Sequence, residues 1–201
     1  MKEVAFVVGF NLAVGCAFAR VGGIVIGAAR SLANRHRFET ARFGAVEAVT
    51  LLEPVVLAVT AYSLLVDRES SGSTSLGEAI AALTGGLVSL AGLALLVWSL
   101  LSWRQLFVGH AVLSDQQLVT GAAYGVVRHP VYLSALLIWC GLSLCFLSPV
   151  AAAITAVYVV PAYVLYIRSE EAMMLDSFGD QYARYRQQVP MLLPRLRPRN
   201  G

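Results

Sequence analysis

Five apolar stretches, each close to the length a helix needs to cross a bilayer, leave this chain few ways to fold. They run over residues 4–29, 43–66, about 78–108, 131–147 and 149–167. A spanning helix takes roughly 20 predominantly apolar residues. Between them the stretches use up most of the 201 residues, so a separate soluble core has no material left to form. The composition agrees: 58% of residues are hydrophobic and 13% charged, with a mean hydropathy of +0.70. Disorder requires the opposite balance, and a disulfide scaffold requires more than three cysteines. Cys16, Cys140 and Cys145 all lie inside apolar stretches and read as small apolar fillers. The expected fold is all-α: one polytopic membrane domain over 1–201, with five transmembrane helices. Only Ser148 separates the last two, which predicts a tight hairpin.

The charges set an orientation. Arg30, Arg35, Arg37 and Arg42 follow the first stretch, Arg104 and Arg128 the third, and Arg168, Arg184, Arg186, Arg195, Arg197 and Arg199 the fifth. Twelve of the fifteen positive residues therefore fall on one side, while Lys2 and Arg68 fall opposite and Arg20 lies within a span. By the positive-inside rule the N-terminus is outside and the C-terminus cytoplasmic. A cleavable leader ending near Ala17-Phe18-Ala19 is the competing reading of the first stretch, but it would force the densest arginine cluster across the membrane. These arginines punctuate apolar segments, so they read as topology signals and not as a nucleic-acid face.

Two charges lie deep. Arg20 and Glu53 occur at matching depths of the first two stretches, and each is costly alone in hydrocarbon, so a pair or shared water is expected. The pair could lock two helices together or line a polar substrate cavity. Pro54 is expected to kink the second span, and Glu47 is shallow enough to reach water. Gly22-Gly23 and Gly85-Gly86 read as sites of close helix packing. His36, His110 and His129 lack the paired spacing of a zinc helix and have no cysteine partners, so no metal site is expected.

Polar residues concentrate in two clusters on the cytoplasmic side. The first runs from Gln116 through Gly121, Tyr124, Arg128, His129 and Pro130 to Tyr132. Proline suits a first helical turn, so Arg128 and His129 stand at a helix start, where free amides favour an anion. Simple interfacial anchoring also explains these residue types. The second cluster begins with Arg168-Ser169-Glu170-Glu171 at the end of the fifth stretch. If the last two spans pair, His129 and Glu170 emerge side by side. Beyond them Leu175, Phe178, Tyr182, Tyr185 and Val189 recur every three or four residues, which predicts an amphipathic segment lying on the membrane or folding over the hairpin.

At these residues the chain resembles the isoprenylcysteine carboxyl methyltransferases, a family of integral membrane enzymes. The resemblance rests on Leu118-Val119-Thr120 leading to Tyr124, on Arg128-His129-Pro130-Val131-Tyr132, and on Glu170-Glu171, Phe178-Gly179, Tyr182, Tyr185, Val189-Pro190 and Leu193-Pro194. It covers residues 98–194; the spans within 1–97 carry no recognised motif. It implies an S-adenosylmethionine-dependent enzyme whose cofactor pocket is capped by the C-terminal segment. Transferred by position, the cofactor contacts are Gln116, Gln117, Leu118, Val119, Tyr124, His129, Pro130, Val131, Tyr132 and Glu170. In that reading the helix-start amides and His129 meet the methionyl carboxylate, Glu170 faces a cationic or hydroxylic group, and Tyr124 or Tyr132 contacts adenosine. The chain departs from the family pattern at Ala122, where a glycine is common before the Arg-His-Pro, at Gln116 in place of a histidine, and at Ser134 in place of a glycine.

Methyl transfer from a sulfonium is an in-line displacement that chiefly demands alignment and exclusion of water. A carboxylate acceptor needs no base, and no dedicated base is evident, which favours a carboxylate. An amine or phenol acceptor would need a proton acceptor, for which Glu170, Glu171 and Glu53 are available. Arg168 and Glu171 are the candidate catalytic residues, Arg168 as a holder of the acceptor carboxylate. The expected substrate is amphiphilic and prenylcysteine-like, reaching the site from the membrane lipids. Membrane sterol reductases, which use NADPH, share part of the Arg-His-Pro-x-Tyr signature, and a non-catalytic scaffold is a third reading.

Overall fold

The computed structural model describes residues 1–33, 38–41, 52–69, 74–103, 111–113 and 116–194. Glu47, His36, His110, Arg35, Arg37, Arg42, Arg104, Arg195, Arg197 and Arg199 lie outside them. The helices are α1 (Lys2–Ala33), α2 (Glu53–Glu69), α3 (Leu76–Ser102), α4 (Ala123–Val126), α5 (Pro130–Cys145) and α6 (Pro149–Gln188). Two short strands, β1 (Phe38–Ala41) and β2 (Ala111–Leu113), pair antiparallel with Phe38 opposite Leu113 and Ala41 opposite Ala111. The long elements are all helical as expected, while this ladder is an addition to the all-α reading. Three residues of strand carry too little periodicity to be seen in a sequence.

Three helical segments are long and apolar enough to cross a membrane: Lys2–Ala29, Leu76–Ser102 and Pro149–Gln188. The shorter apolar helices are Glu53–Val66 and Pro130–Cys145. Helix α3 ends at Ser102, where Trp103 turns to extended backbone; residues 104–108 of the expected third stretch lie outside the described ones.

Local chemistry explains where the helices begin. Ser75 caps α3 in a reciprocal box: its Oγ accepts from the Glu78 amide at 3.1 Å, and Glu78 accepts from the Ser75 amide at 2.6 Å. Pro54 stands in the first turn of α2, a position that needs no N–H donor, while the part of the expected span that precedes it, 43–51, lies outside the described residues, and with it the expected kink. Pro149 does the same for α6, where Ser148 Oγ accepts from the Ala151 amide at 3.1 Å. Farther along α6, Pro161 has no N–H to donate and its ring crowds the carbonyl four residues back. The preceding turn, Thr155–Val159, widens to π geometry, with the Val160 amide bonded to Thr155.

The main core lies where α3 packs between α1 and α5, with Ala13, Ala17, Ala82, Ala135, Ile138, Trp139 and Leu142 buried in it. Gly85 and Gly86 permit this contact: a methyl on Gly85 would strike the backbone of Gly141, and one on Gly86 the backbone of Gly9. The expectation for this glycine pair therefore holds. That for Gly22-Gly23 does not, since a methyl at either would meet nothing within 4 Å.

The amphipathic tail begins within α6. Its first part, up to Phe178, is continuous with the fifth stretch in α6, and the helix is interrupted by a kink at Gly179, whose φ of 49° and ψ of −127° are not helical. Beyond the apolar stretch, Met173, Met174, Tyr182 and Tyr185 form a second core against Leu118, Leu175, Phe178 and Val189. The stripe at three- and four-residue spacing thus packs against its own chain.

Candidate active site

The start of α5 and the later half of α6 meet because the two helices run antiparallel from the turn at Phe146, Leu147 and Ser148. Ser143 and Thr155 approach within 3.5 Å near that turn. At the far end His129 faces the two glutamates: its Nε2–H donates to Glu171 Oε1 at 3.1 Å, and Nδ1 lies 3.7 Å from Glu170 Oε2. Tyr132, one turn into α5, donates its hydroxyl to the same Glu170 oxygen at 2.9 Å. Four residues drawn from the two polar clusters are therefore in mutual contact.

Arg128 ties this group to the tail. Its Nε and Nη2 lie 2.9 and 2.8 Å from Glu171 Oε1, and its Nη1 donates to the carbonyls of Arg186 and Val189. The Arg128 amide donates to Pro190 O at 2.8 Å and the His129 amide to Met191 O at 3.1 Å. A planar guanidinium presents five donors in a fixed fork, which suits it to join a carboxylate and two carbonyls at once. Sequence reasoning put Arg128 beside the site without giving it this clamping role. The Val189-Pro190 motif was the available signal.

These bonds alter the reading of the helix start as an anion site. The amides of residues 128 and 129 are used by the tail carbonyls, and His129 is flanked by two carboxylates. Glu171 is paired with Arg128, which leaves Glu170 as the carboxylate that a cationic or hydrogen-donating guest could meet.

Tyr124 forms the second wall. It is buried in α4, Tyr185 donates its hydroxyl to the Tyr124 carbonyl at 2.7 Å, and the Trp103 ring stands edge-on at 5.4 Å. Burial, and then the nearby charge of Glu170, push the Tyr124 phenol above its usual pKa, so it stays a neutral donor. Its hydroxyl is buried without a hydrogen-bond partner among the described residues. An orphaned donor beside a carboxylate and several aromatic rings fits a ligand with a cationic centre and a flat heteroaromatic ring, as S-adenosylmethionine has.

The remaining candidates are less centred. Leu118 packs into the second core, Gln116 and Val119 are half-buried, and Gln117 is exposed. Pro130 is buried and Val131 half-buried at the start of α5. Arg168 is exposed on α6, two residues before Glu170, whereas Glu171 is engaged by Arg128 and His129, with Arg186 at 3.9 Å.

The profile of a family described as phospholipid methyltransferase matches residues 80–181, half of the chain. Over 76 residues the chain is 36% identical to methanethiol S-methyltransferase 1 of Bradyrhizobium diazoefficiens, covering 37% of this chain and 25% of that protein. It is 37% identical over 76 residues to methanethiol S-methyltransferase of Crocosphaera subtropica, covering 37% and 28%. Over 79 residues it is 38% identical to protein-S-isoprenylcysteine O-methyltransferase B of Arabidopsis thaliana, covering 39% and 40%. The matched region thus spans well under half the length of each of these relatives. No solved structure matches. The profile match takes in Tyr124, His129, Tyr132, Glu170 and Glu171, the residues gathered at the end of α5 and α6 away from their connecting turn, and on that match the chain belongs to the phospholipid methyltransferase family of membrane methyltransferases.

Proposed function

We propose that this protein transfers a methyl group from S-adenosylmethionine to an amphiphilic acceptor held in the membrane, and that the acceptor atom is a carboxylate oxygen of a prenylcysteine-like molecule. The observation that carries this reading is the contact of His129 and Tyr132 with Glu170 inside the matched segment. When bound, the cofactor supplies an electrophilic methyl on a sulfonium; the carboxylate oxygen bonds to that carbon as the carbon–sulfur bond breaks, its electron pair staying on sulfur. No proton moves.

The protein's own part is to bind, orient and keep out water. Glu170 faces the cationic portion of the cofactor, Tyr124 and Tyr132 border its adenosine, and 116–119 with 129–131 complete the wall. Glu171 acts as a positioning residue, holding His129 and Arg128 so that Glu170 is presented at a fixed angle. Arg168, exposed at the rim, makes first contact with the acceptor's anionic head at the membrane surface. Five spans, with the N-terminus outside and this site cytoplasmic, place it where a lipid-borne acceptor enters laterally. The similarity to a protein-S-isoprenylcysteine O-methyltransferase supports the carboxylate.

Calorimetry on the detergent-solubilised protein tests the reading. S-adenosylmethionine should bind and NADPH should not, and His129→Ala and Glu170→Ala should each weaken cofactor binding by about tenfold or more. Unchanged affinity in both variants would remove the site assignment. Incubation with methyl-labelled cofactor and a membrane lipid extract then identifies the acceptor by its label.

A further inference from the structure

Helix α4 is a single turn, and its hydrogen bonding runs on into the tail. The amides of Gly125 and Val127 donate within the turn, to the carbonyls of Ala122 and Ala123. If the helix continued, the Tyr124 carbonyl would take the amide of Arg128, four residues on. Val127 is extended instead, and the Arg128 amide donates to Pro190 O at 2.8 Å. The Tyr124 carbonyl is left without its helical donor, and the Tyr185 hydroxyl takes that place at 2.7 Å. Both tyrosines are buried. The two segments thus exchange donors: residues 128 and 129 give their amides to carbonyls 190 and 191, and α6 returns one hydroxyl.

The turn has little else to fix it. It follows Ala122, whose φ of 51° is a costly backbone state and which makes no side-chain capping bond. The Ala123 amide reaches Ser102 Oγ at 3.4 Å, a long bond. So short a helix does not hold itself together, and the place of Tyr124 depends on what grips it from outside. Tyr185 also packs in the second core with Met173, Met174 and Tyr182, a task that a phenylalanine ring would serve equally; the hydroxyl adds the bond to Tyr124. It stands beyond the kink at Gly179, on the same stretch whose carbonyls at 186, 189, 190 and 191 are bound by Arg128 and the His129 amide. One piece of chain therefore sets both the start of α5 and the backbone of Tyr124.

We infer that Tyr185 is a positioning residue: its hydroxyl fixes the α4 turn so that the Tyr124 phenol, buried with no hydrogen-bond partner of its own among the described residues, stands where a nucleoside ring binds, and α4 and residues 185–191 order together as one latch. This rests on the methyl-transfer reading for the identity of that nucleoside as the adenosine of S-adenosylmethionine. Tyr185 is assigned no contact with the cofactor and acts through the main chain of Tyr124.

The test measures S-adenosylmethionine binding by calorimetry on the full-length protein in detergent, well below the thermal midpoint of each variant. Tyr185→Phe keeps the ring in the second core and removes only the hydroxyl, and it should weaken binding about tenfold. Tyr124→Phe should also weaken binding, and adding Tyr185→Phe to it should cost about twofold or less, because the phenol that Tyr185 positions is already gone. A merely structural role would cost the same on both backgrounds. Wild-type affinity in Tyr185→Phe, or an equal loss on both backgrounds, overturns the inference. Amide hydrogen exchange supplies a readout that needs no variant: on addition of S-adenosylmethionine to the wild type, the amides of residues 125–129 and 186–189 should gain protection together, and protection confined to one of the two segments overturns the latch. If the wild type does not bind S-adenosylmethionine, the methyl-transfer reading falls, and exchange without cofactor decides on Tyr185. Faster exchange of amides 123–127 in Tyr185→Phe then supports its hold on α4, and unchanged exchange overturns it.

Discussion

Ala122 shows how one side chain can depart from its surroundings. Its φ of 51° and ψ of −124° belong to a region that glycine occupies freely and L-residues enter at a cost. It is also the position where the resembling enzymes commonly carry glycine. Ala122→Gly should therefore stabilise the protein by about 1 kcal/mol, read as a rise in thermal midpoint in detergent. At Gly179 the situation is reversed: φ is 49°, and the space for a methyl is open, so the penalty for Gly179→Ala is conformational and not steric. A loss of about 1–2 kcal/mol is expected, with a weaker bend between the two parts of α6. Arg128→Lys keeps the charge but cannot serve Glu171 and two carbonyls from one plane. It should lower cofactor affinity several-fold in calorimetry even though Arg128 is assigned no contact with the cofactor. An affinity equal to the wild type would show that the clamp does not support the site.

At the level of elements, the close approach of α3 to α5 depends on Gly85 facing the Gly141 backbone. Gly85→Ala should separate the helices and destabilise the bundle by about 1–3 kcal/mol, whereas Gly22→Ala in α1 should be neutral or slightly stabilising. Thermal denaturation of the two variants under one detergent condition checks the contrast. The sequence was informative here only in part. Both glycine pairs looked alike, because composition does not reveal which face of a helix meets a neighbour. The apolar stretches located α1 and α3 well, since a helix in lipid must satisfy its backbone internally along its whole length. The continuity of α6 through Ser169–Leu175 was hidden because polarity rises there without a helix breaker, and a change of solvent resembles a change of element. In the site, Tyr132 and Glu170 were legible as side chains at motif positions. The bonds from the Arg128 and His129 amides to residues 190 and 191 were not, because a backbone carbonyl has no letter in a sequence.

Across the whole molecule, the Arg20–Glu53 contact joins helices that are distant in sequence from the site they adjoin. The pair was legible because two charges in apolar stretches at similar depth must find each other or water. Glu53 stands at the first residue of α2, and residues 43–51 of its expected span lie outside the described ones. Removing one member leaves a buried charge alone, so Arg20→Glu and Glu53→Arg should each reduce folded yield, and the double swap should restore much of it. Size-exclusion profiles of the three variants decide the matter, and absence of rescue would show that the contact contributes nothing to assembly.

Chain order adds a further consequence. The amides of residues 128 and 129 are held by carbonyls of residues 190 and 191, so the start of α5 reaches its final geometry only after the end of α6 has been made. During synthesis the helices can enter the membrane one after another while the site stays unassembled. Completion of this bonded cluster is thereby deferred until the ribosome has delivered the closing segment, and on the proposed function a nascent chain halted before residue 190 would be inserted yet unable to bind S-adenosylmethionine.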